Sequence, residues 1–453
     1  MAPSRKQTKS PPKTVIGRSS RLLTLAAGLA AKEVAGRIER AVARGEELQK
    51  SIQRVRRQVE QARQIVESLG RLKGAAMKAG QMITLELRDY LPPEVLDVLR
   101  ELQDGAHFVS YDEIESILKK ELGPAKLARL NSISREPIAS ASIGQVHAAK
   151  IAGDEGAETS IVLKVQFRGI SDTIDSDLAL LEKIVRGLLA VSLRDIDFGE
   201  VLSEVKEVLK QETDYRREAS YLERYRALAA EIPGVVVPRV YEEFSTSRVL
   251  ALSHEAGVSP EDWMKTNPDR AQRDRFAGLF LDLYFREFFD WGFVQTDPNF
   301  GNFLIRADQN ELVCLDFGAT KEYPAEFRRT YRELLLACSS DDYGRTLQVA
   351  HALKLIDPRE SDESKRLLYQ VMREVLAMFR PENQPFDFGD RDFVDRTRAT
   401  LIKMMRGLRH SPPPKDLIFL HRKLGGIYSL LKALDVRADL TPYWDRMVAT
   451  PIR

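Results

Sequence analysis

Two short loops constrain this chain more than anything else in it. One reads Asp297-Pro-Asn-Phe-Gly-Asn302, and fourteen residues after Asn302 the other reads Asp316-Phe317-Gly318. The segment between them, "NFLIRADQNELVCLDFG" (302–318), alternates apolar and polar residues around a polar turn and predicts a hairpin. An Asp and an Asn five apart on a loop, then a hairpin ending in Asp-Phe-Gly, is the layout that phosphoryl transfer needs. Asp297 is placed to orient or deprotonate an attacking hydroxyl or water. The Asn302 amide oxygen and the Asp316 carboxylate are hard ligands suited to Mg²⁺ on nucleotide phosphates. Asp-Phe-Gly by itself is also an ordinary turn; the spacing of the three residues gives it meaning.

A lysine upstream fits the same chemistry. Lys164 stands in the middle of "IVLKVQF", where a charge is costly unless it meets a partner. It either snorkels from an edge strand or grips phosphate while held by a carboxylate from a following helix. The candidates are Glu212, Asp214 and Glu218 in "KQETDYRREASYLERY". On one continuous helix Glu212 and Glu218 stand about 120° apart, at about 100° per residue. Asp214 and Glu218, four apart, share a face. Glu218 is therefore assigned to Lys164, and Glu212, with or without Asp214, needs another cation.

The stretch ahead of the lysine strand is Ala139-Ser140-Ala141-Ser142-Ile143-Gly144. A glycine-rich phosphate loop would have three glycines there, and each added Cβ restricts left-handed backbone by about 1–2 kcal/mol. This loop is expected to bind nucleotide without folding over a γ-phosphate. Ser253, His254, Glu255 and Ala256, where the mixed part of the chain gives way to the helical part, complete the expected nucleotide-binding set. Farther upstream, Lys78, Gly80 and Gln81 lie in a Gly/Ala-rich helical stretch that lets another backbone approach closely; a surface lysine in a weak helix has the same appearance.

Composition removes several other classes. Lys and Arg number 69 against 67 Asp and Glu, so the chain lacks the net basic face of a dedicated nucleic-acid binder. Cys314 and Cys338 make no disulfide framework, and six scattered histidines show no metal-ligand spacing. Residues 1–32 nevertheless carry seven basic side chains and no acid. They read as a basic arm followed by an amphipathic helix, though transit and signal peptides share that texture. The apolar run Leu22–Ala31 would span about 15 Å as a helix, half of a bilayer core. No window reaches 18 apolar residues, so the chain is expected to be soluble or peripheral.

The predicted order is α, then β with helix, then mostly α. A helical stretch runs to Leu87, and "YLPPEVLDVLRELQDGA" (90–106) starts a helix at Pro92 and Pro93. Helices follow at Tyr111–Leu122 after a Ser110 cap, at 172–193 and at 199–231. Strands are expected at 138–151 and 160–167, with a second β-pair formed by "VVVPRVYEEF" and "SRVLALSHEA". The fold class is α+β, mainly helical. The domains are a basic arm (1–21), a helical extension (22–137), a mixed lobe (138–255) and a helical lobe (256–453).

Taken together these motifs resemble the UbiB family of atypical protein-kinase-like proteins, nearest its mitochondrial coenzyme Q subgroup. "KAGQ" (78–81) is similar to the family's KxGQ signature, "ASASIGQVH" (139–147) to its alanine-rich loop, and "LKVQFRGI" to its lysine strand. "ETDYRREA" (212–219) is similar to its ExD motif and following glutamate, "QTDPNFGNF" (295–303) and "LDFGATKEY" (315–323) to its catalytic and metal loops, and "FLHRKLGGIYSLLKAL" (419–434) to its C-terminal helix. The resemblance implies a two-lobed kinase-like fold with the KxGQ extension over the protein-substrate site, and Lys78 as the cation for Glu212 and Asp214. It implies binding of ATP and Mg²⁺ and an ATPase or small-molecule kinase activity tied to ubiquinone or related isoprenoid-lipid biosynthesis. The alternatives are a protein kinase acting in trans and a nucleotide-gated lipid-binding scaffold. Implied partners are nucleotide, membrane lipid or isoprenoid quinone intermediates, and quinone-biosynthesis proteins, with no nucleic acid. The expected location is cytoplasmic and peripheral on the inner membrane, or else the mitochondrial matrix. Ser140 stands where many mitochondrial members carry alanine, no C-terminal transmembrane hairpin is evident, and Gln295 follows the mitochondrial subgroup's pattern.

Overall fold

The computed structural model describes residues 79–80, 109–141, 143–152, 158–176, 178–179, 181–182, 199–408, 411 and 415–452. Lys78, Gln81 and Ser142 lie outside the described residues, as do the basic arm and the helix expected at 90–106. Among the described residues no helix is long and apolar enough to cross a membrane. The chain forms two units, the described parts of 79–120, 134–147 and 164–213 in the first and of 121–133, 148–163 and 214–452 in the second.

In the first unit helix α1 (Tyr111–Leu127) begins where expected, with the Ser110 hydroxyl and carbonyl both accepting from the Glu113 amide. The helix outruns its expected end by passing a kink at Gly123, whose φ of 71° needs a residue without Cβ. Strand β2 (Ala139–Ala141) folds back on β3 (Gly144–Ala152) with Ala141 opposite Gly144. Two buried polar side chains on β3 tie down the segments before α1 and after β1 (Leu130–Ile133). Gln145 accepts from the Val109 amide at 3.0 Å and donates to its carbonyl at 3.4 Å, and His147 Nδ1 lies 2.7 Å from the Ser134 carbonyl oxygen. Strand β4 (Glu158–Gln166) follows, a helix starts at Ile170, and α2 (Gly199–Glu212) closes the unit's described part.

In the second unit β1 (Leu130–Ile133) pairs antiparallel with β3 through Leu130 and Ile151, and the sheet runs on in the order β1, β3, β4, β6 (Val249–Ser253). The second β-pair expected from sequence does not form as such. Val235–Val236 (β5) runs parallel to β9 (Glu311–Cys314) instead, and only a single bridge, Val240 to Leu252, joins the two expected partners. The hairpin expected at 302–318 is present: β8 (Phe303–Arg306) pairs with β9 in the register Phe303–Cys314 to Arg306–Glu311.

A second correction concerns the helix expected over 199–231. It breaks after Glu212, and α3 (Tyr215–Ala229) starts afresh. The cause is Asp214, whose carboxylate accepts from the Arg216 and Arg217 amides at 3.1 and 3.2 Å and so caps the new helix. The single-helix wheel that separated Glu212 from Glu218 therefore does not apply.

The helical part is organised around α5 (Arg270–Phe285), which follows the short α4 (Pro260–Met264) and opens with a capping box between Asp269 and Gln272. It buries most of its surface, with Phe276, Phe280 and Phe285 inside, and leaves one face with Arg275 exposed and Asp282 half-buried. A turn of π-helix, Arg286–Trp291, follows and ends at Gly292 with φ 63°. Any Cβ there would lie 2.7 Å from the Arg328 side chain, whose guanidinium caps the Phe289 and Asp290 carbonyls. Helices α6 (Ala325–Ser339), α7 (Tyr343–Ala352), α8 (Asp362–Leu376), α9 (Arg391–Gly407), α10 (Lys415–Ala433) and α11 (Thr441–Ala449) complete the unit.

Candidate nucleotide and metal site

The two loops singled out from the sequence are held side by side. Strand β7 (Phe293–Gln295) pairs antiparallel with β10 (Thr320–Glu322), Gln295 opposite Thr320. Beyond β7 the Thr296 amide and hydroxyl both donate to the Ala319 carbonyl, at 3.1 and 2.6 Å. A turn of 3₁₀-helix, Phe300–Asn302, then brings Asn302 back toward Asp297, with Asn299 accepting from the Gly301 amide. The Asn302 side-chain amide donates to both the carbonyl and the carboxylate of Asp297, each at 3.1 Å. The Asn302 carbonyl accepts from Leu315, the residue before Asp316, at 2.9 Å. Asp316 in turn accepts from the Gly318 amide at 2.9 Å. Asp297, Asn302 and Asp316 are all half-buried, on two loops that these bonds hold side by side.

Phe317 anchors the second loop. Its ring is fully buried, 4.4 Å from that of Tyr225 on α3, and Tyr221 of the same helix meets Phe293 at 5.1 Å. Glu218 is buried on the first turn of α3. Lys164 and Glu212 belong to the first unit, Lys164 half-buried between the core residues Leu163 and Val165, and Glu212 buried at the end of α2.

Among the described residues no three His, Cys, Asp or Glu side chains cluster as a self-sufficient metal site. The donor set at Asn302 and Asp316 is one amide oxygen and one carboxylate. That matches Mg²⁺, which is commonly held by one or two carboxylates with substrate phosphates and water making up the rest.

The alanine-rich hairpin is built differently. Ala139 and Ser140 are exposed, Ile143 and Gly144 buried. A Cβ on Gly144 would run into the Val165 carbonyl, so this glycine serves close backbone approach, not a phosphate-cradling turn. The run Ser253–Ala256 is partly committed to structure. Ser253 accepts from the Arg239 amide and donates to Glu255, the His254 amide donates to Ser160, and Arg306 binds both Glu255 and the Ala256 carbonyl.

Sequence reasoning passed over the groups beneath the loops. Glu287, on the π-helix, accepts from the Tyr225 hydroxyl at 2.7 Å and from the Gln295 amide at 3.2 Å. Lys423 of α10 lies 3.0 Å from its carboxylate. Burial pushes the Glu287 carboxyl up, against the pull of Lys423, and pushes the neighbouring Cys314 thiol up to about 12. Lys423 gives a weaker signal than Lys164, because in "FLHRKLGGIYSLL" it follows His421 and Arg422 and reads as part of a basic helix face.

A sheet whose β4 carries a lysine, followed by a helical part bearing Asp297 and Asp-Phe-Gly, defines a protein of the kinase-like class. The ABC1 atypical kinase-like domain model matches residues 101–350. "Atypical kinase COQ8B, mitochondrial" of Danio rerio is 32% identical over 380 residues, 83% of this chain and 59% of that protein. The rat protein of the same name is 31% identical over 370 residues, 81% of this chain and 68% of that one. The chain belongs to the UbiB, or ABC1, family of atypical kinase-like proteins. It spans about three fifths of the length of the zebrafish relative. The solved erythromycin complex of Rv3197 from Mycobacterium tuberculosis superposes with a TM-score of 0.57 at 24% identity, covering 85% of this chain and 95% of that one. Likeness at that identity establishes the shared fold.

Proposed function

We propose that this chain is an Mg²⁺-dependent ATPase or small-molecule kinase supporting ubiquinone or related isoprenoid-lipid biosynthesis. The observation that carries the reading is the convergence of Asp297, Asn302 and Asp316, with the Asn302 amide on the Asp297 carboxylate and its carbonyl on Leu315. In this reading Asp297 orients the attacking hydroxyl or water and accepts its proton. Its hydrogen bond from Asn302 holds the carboxylate's direction. Asn302 and Asp316 hold the metal, which when bound neutralises charge on the phosphates. Within the first unit Lys164 and the 139–144 stretch are assigned to nucleotide binding, and within the second unit Glu218 and the 253–256 run are. Lys78 and Gln81, which lie outside the described residues, are assigned a regulatory role together with Glu212 and Asp214.

The names of the zebrafish, rat and yeast relatives support a mitochondrial location over the cytoplasmic one. Quinone intermediates, quinone-biosynthesis proteins and a lipid surface are the partners this reading assigns. Asp316→Asn is expected to abolish Mg²⁺-dependent ATP hydrolysis by the purified chain, and unchanged turnover would remove the mechanism. Radiolabel reaching a defined acceptor faster than free phosphate appears would move the assignment to a kinase acting in trans.

A further inference from the structure

Helix α10 does more than fill space behind the loops. Three of its residues, within five positions, hold three members of the Gln295–Pro298 segment. Arg422 donates to the Thr296 carbonyl at 3.0 Å and to its hydroxyl at 3.3 Å. Lys423 donates to the Gln295 side-chain oxygen at 3.2 Å while paired with Glu287. Gly426 lies so close under Pro298 that a Cβ would enter the proline ring.

The Lys423 contact carries the most consequence, because it fixes which way the Gln295 amide points. With its oxygen on the ammonium, the Gln295 NH₂ group faces the other way, donating to the Asp297 carbonyl at 2.7 Å and to the Asp316 carbonyl at 3.3 Å. One side chain thus bridges the backbone of both loops. An ammonium on the amide oxygen also polarises it and strengthens the opposite N–H donors. Lys423, Glu287 and Gln295 are 3%, 0% and 4% exposed, so the arrangement works in a medium where water does not compete. A hydrophobic helix could have packed here without a charge, since buried ion pairs are a poor way to gain stability.

We propose that Lys423 is a positioning residue that acts through Gln295 on Asp297 and Asp316, making α10 the brace that sets the spacing of the two loops. The proposal rests on the reading of those loops as a nucleotide and metal site. It concerns this chain's own residues and is testable without turnover.

The test uses the full chain and the charge-balanced double variant Lys423→Met with Glu287→Gln, which leaves no lone buried charge. Gln295→Leu is made alone and in that background. The first readout is hydrogen exchange of the nucleotide-free protein. Amides of 293–302 and 315–320 are expected to exchange about 10-fold faster or more in the double variant, with α6 amides unchanged. The second is the Mg²⁺ concentration giving half-maximal ATP hydrolysis, expected to rise about 10–100-fold, the range seen when groups that orient metal ligands are removed. Adding Gln295→Leu to the double variant should change little further, because the effects share one path. A folded double variant with native exchange at both loops overturns the brace, whatever its turnover. Faster loop exchange in a chain that is inert toward Mg-ATP even as wild type supports the brace and overturns the nucleotide reading instead.

Discussion

The loops at 295–318 and the hairpin at 139–144 flank the same motif set in the sequence, yet they are held in contrasting ways. The first is fastened through side chains: Thr296 on Ala319, Asn302 on Asp297, Gln295 on two carbonyls, with a buried ion pair beneath. The second is fastened through its backbone, as strand pairing from Ala139–Val146 to Ala141–Gly144, with Ala139 and Ser140 exposed. Polar side chains fix direction, and direction is what an acid–base group and a metal ligand require. Backbone pairing fixes only the path of the chain, which suffices for a surface that presents amides. The two regions should therefore respond differently to the same kind of change.

The sharpest way to break the comparison is to remove one member of the buried pair. Lys423→Met alone leaves the Glu287 carboxylate buried without its cation and should cost about 3–5 kcal/mol in chemical denaturation. A loss under 1 kcal/mol would mean the pair is not buried as described. Next come the two glycines of close approach, one per region. Gly426→Ala and Gly144→Ala each force a backbone or ring shift and should cost about 1–3 kcal/mol, read as shifts in denaturation midpoint. If Gly144→Ala is neutral, the hairpin has more room than its contact with Val165 allows. Asp214→Ala removes the α3 cap and should cost about 1 kcal/mol. Smallest is Ser140→Ala on the exposed hairpin, expected within about 0.5 kcal/mol of wild type. Any change in nucleotide preference there would come from contact with the nucleotide, not from refolding of the hairpin.

A chemical probe sharpens the same contrast. Both cysteines are buried, and burial pushes their thiols up, Cys314 to about 12 and Cys338 to about 11. At pH 8 neither is expected to react with iodoacetamide in the native chain, and both should react in denaturant. Labelling of Cys314 alone in native conditions would show the floor of the site opening.

What the sequence made legible was local. The Asp297–Asn302 spacing, the 303–314 hairpin and the lysine strand are encoded within a few residues of themselves, and the structure forms each of them. What it concealed depends on partners far along the chain. Glu287 and Lys423 are 136 residues apart, and β5 leaves its expected neighbour to join β9 because strand pairing is settled by packing. The break at Asp214 was concealed for another reason. An Asp between helical residues reads as part of a helical face, although its carboxylate competes for backbone amides and so begins a new helix.

The central claim is that Asp297, Asn302 and Asp316 form one magnesium–nucleotide site, and calorimetry reaches it directly. ATP is titrated into wild type and Asp316→Asn, each with Mg²⁺ and with EDTA. The account predicts that Mg²⁺ tightens nucleotide binding to wild type and that this gain disappears in Asp316→Asn, while the metal-free affinities stay alike. An equal Mg²⁺ gain in both proteins would contradict it.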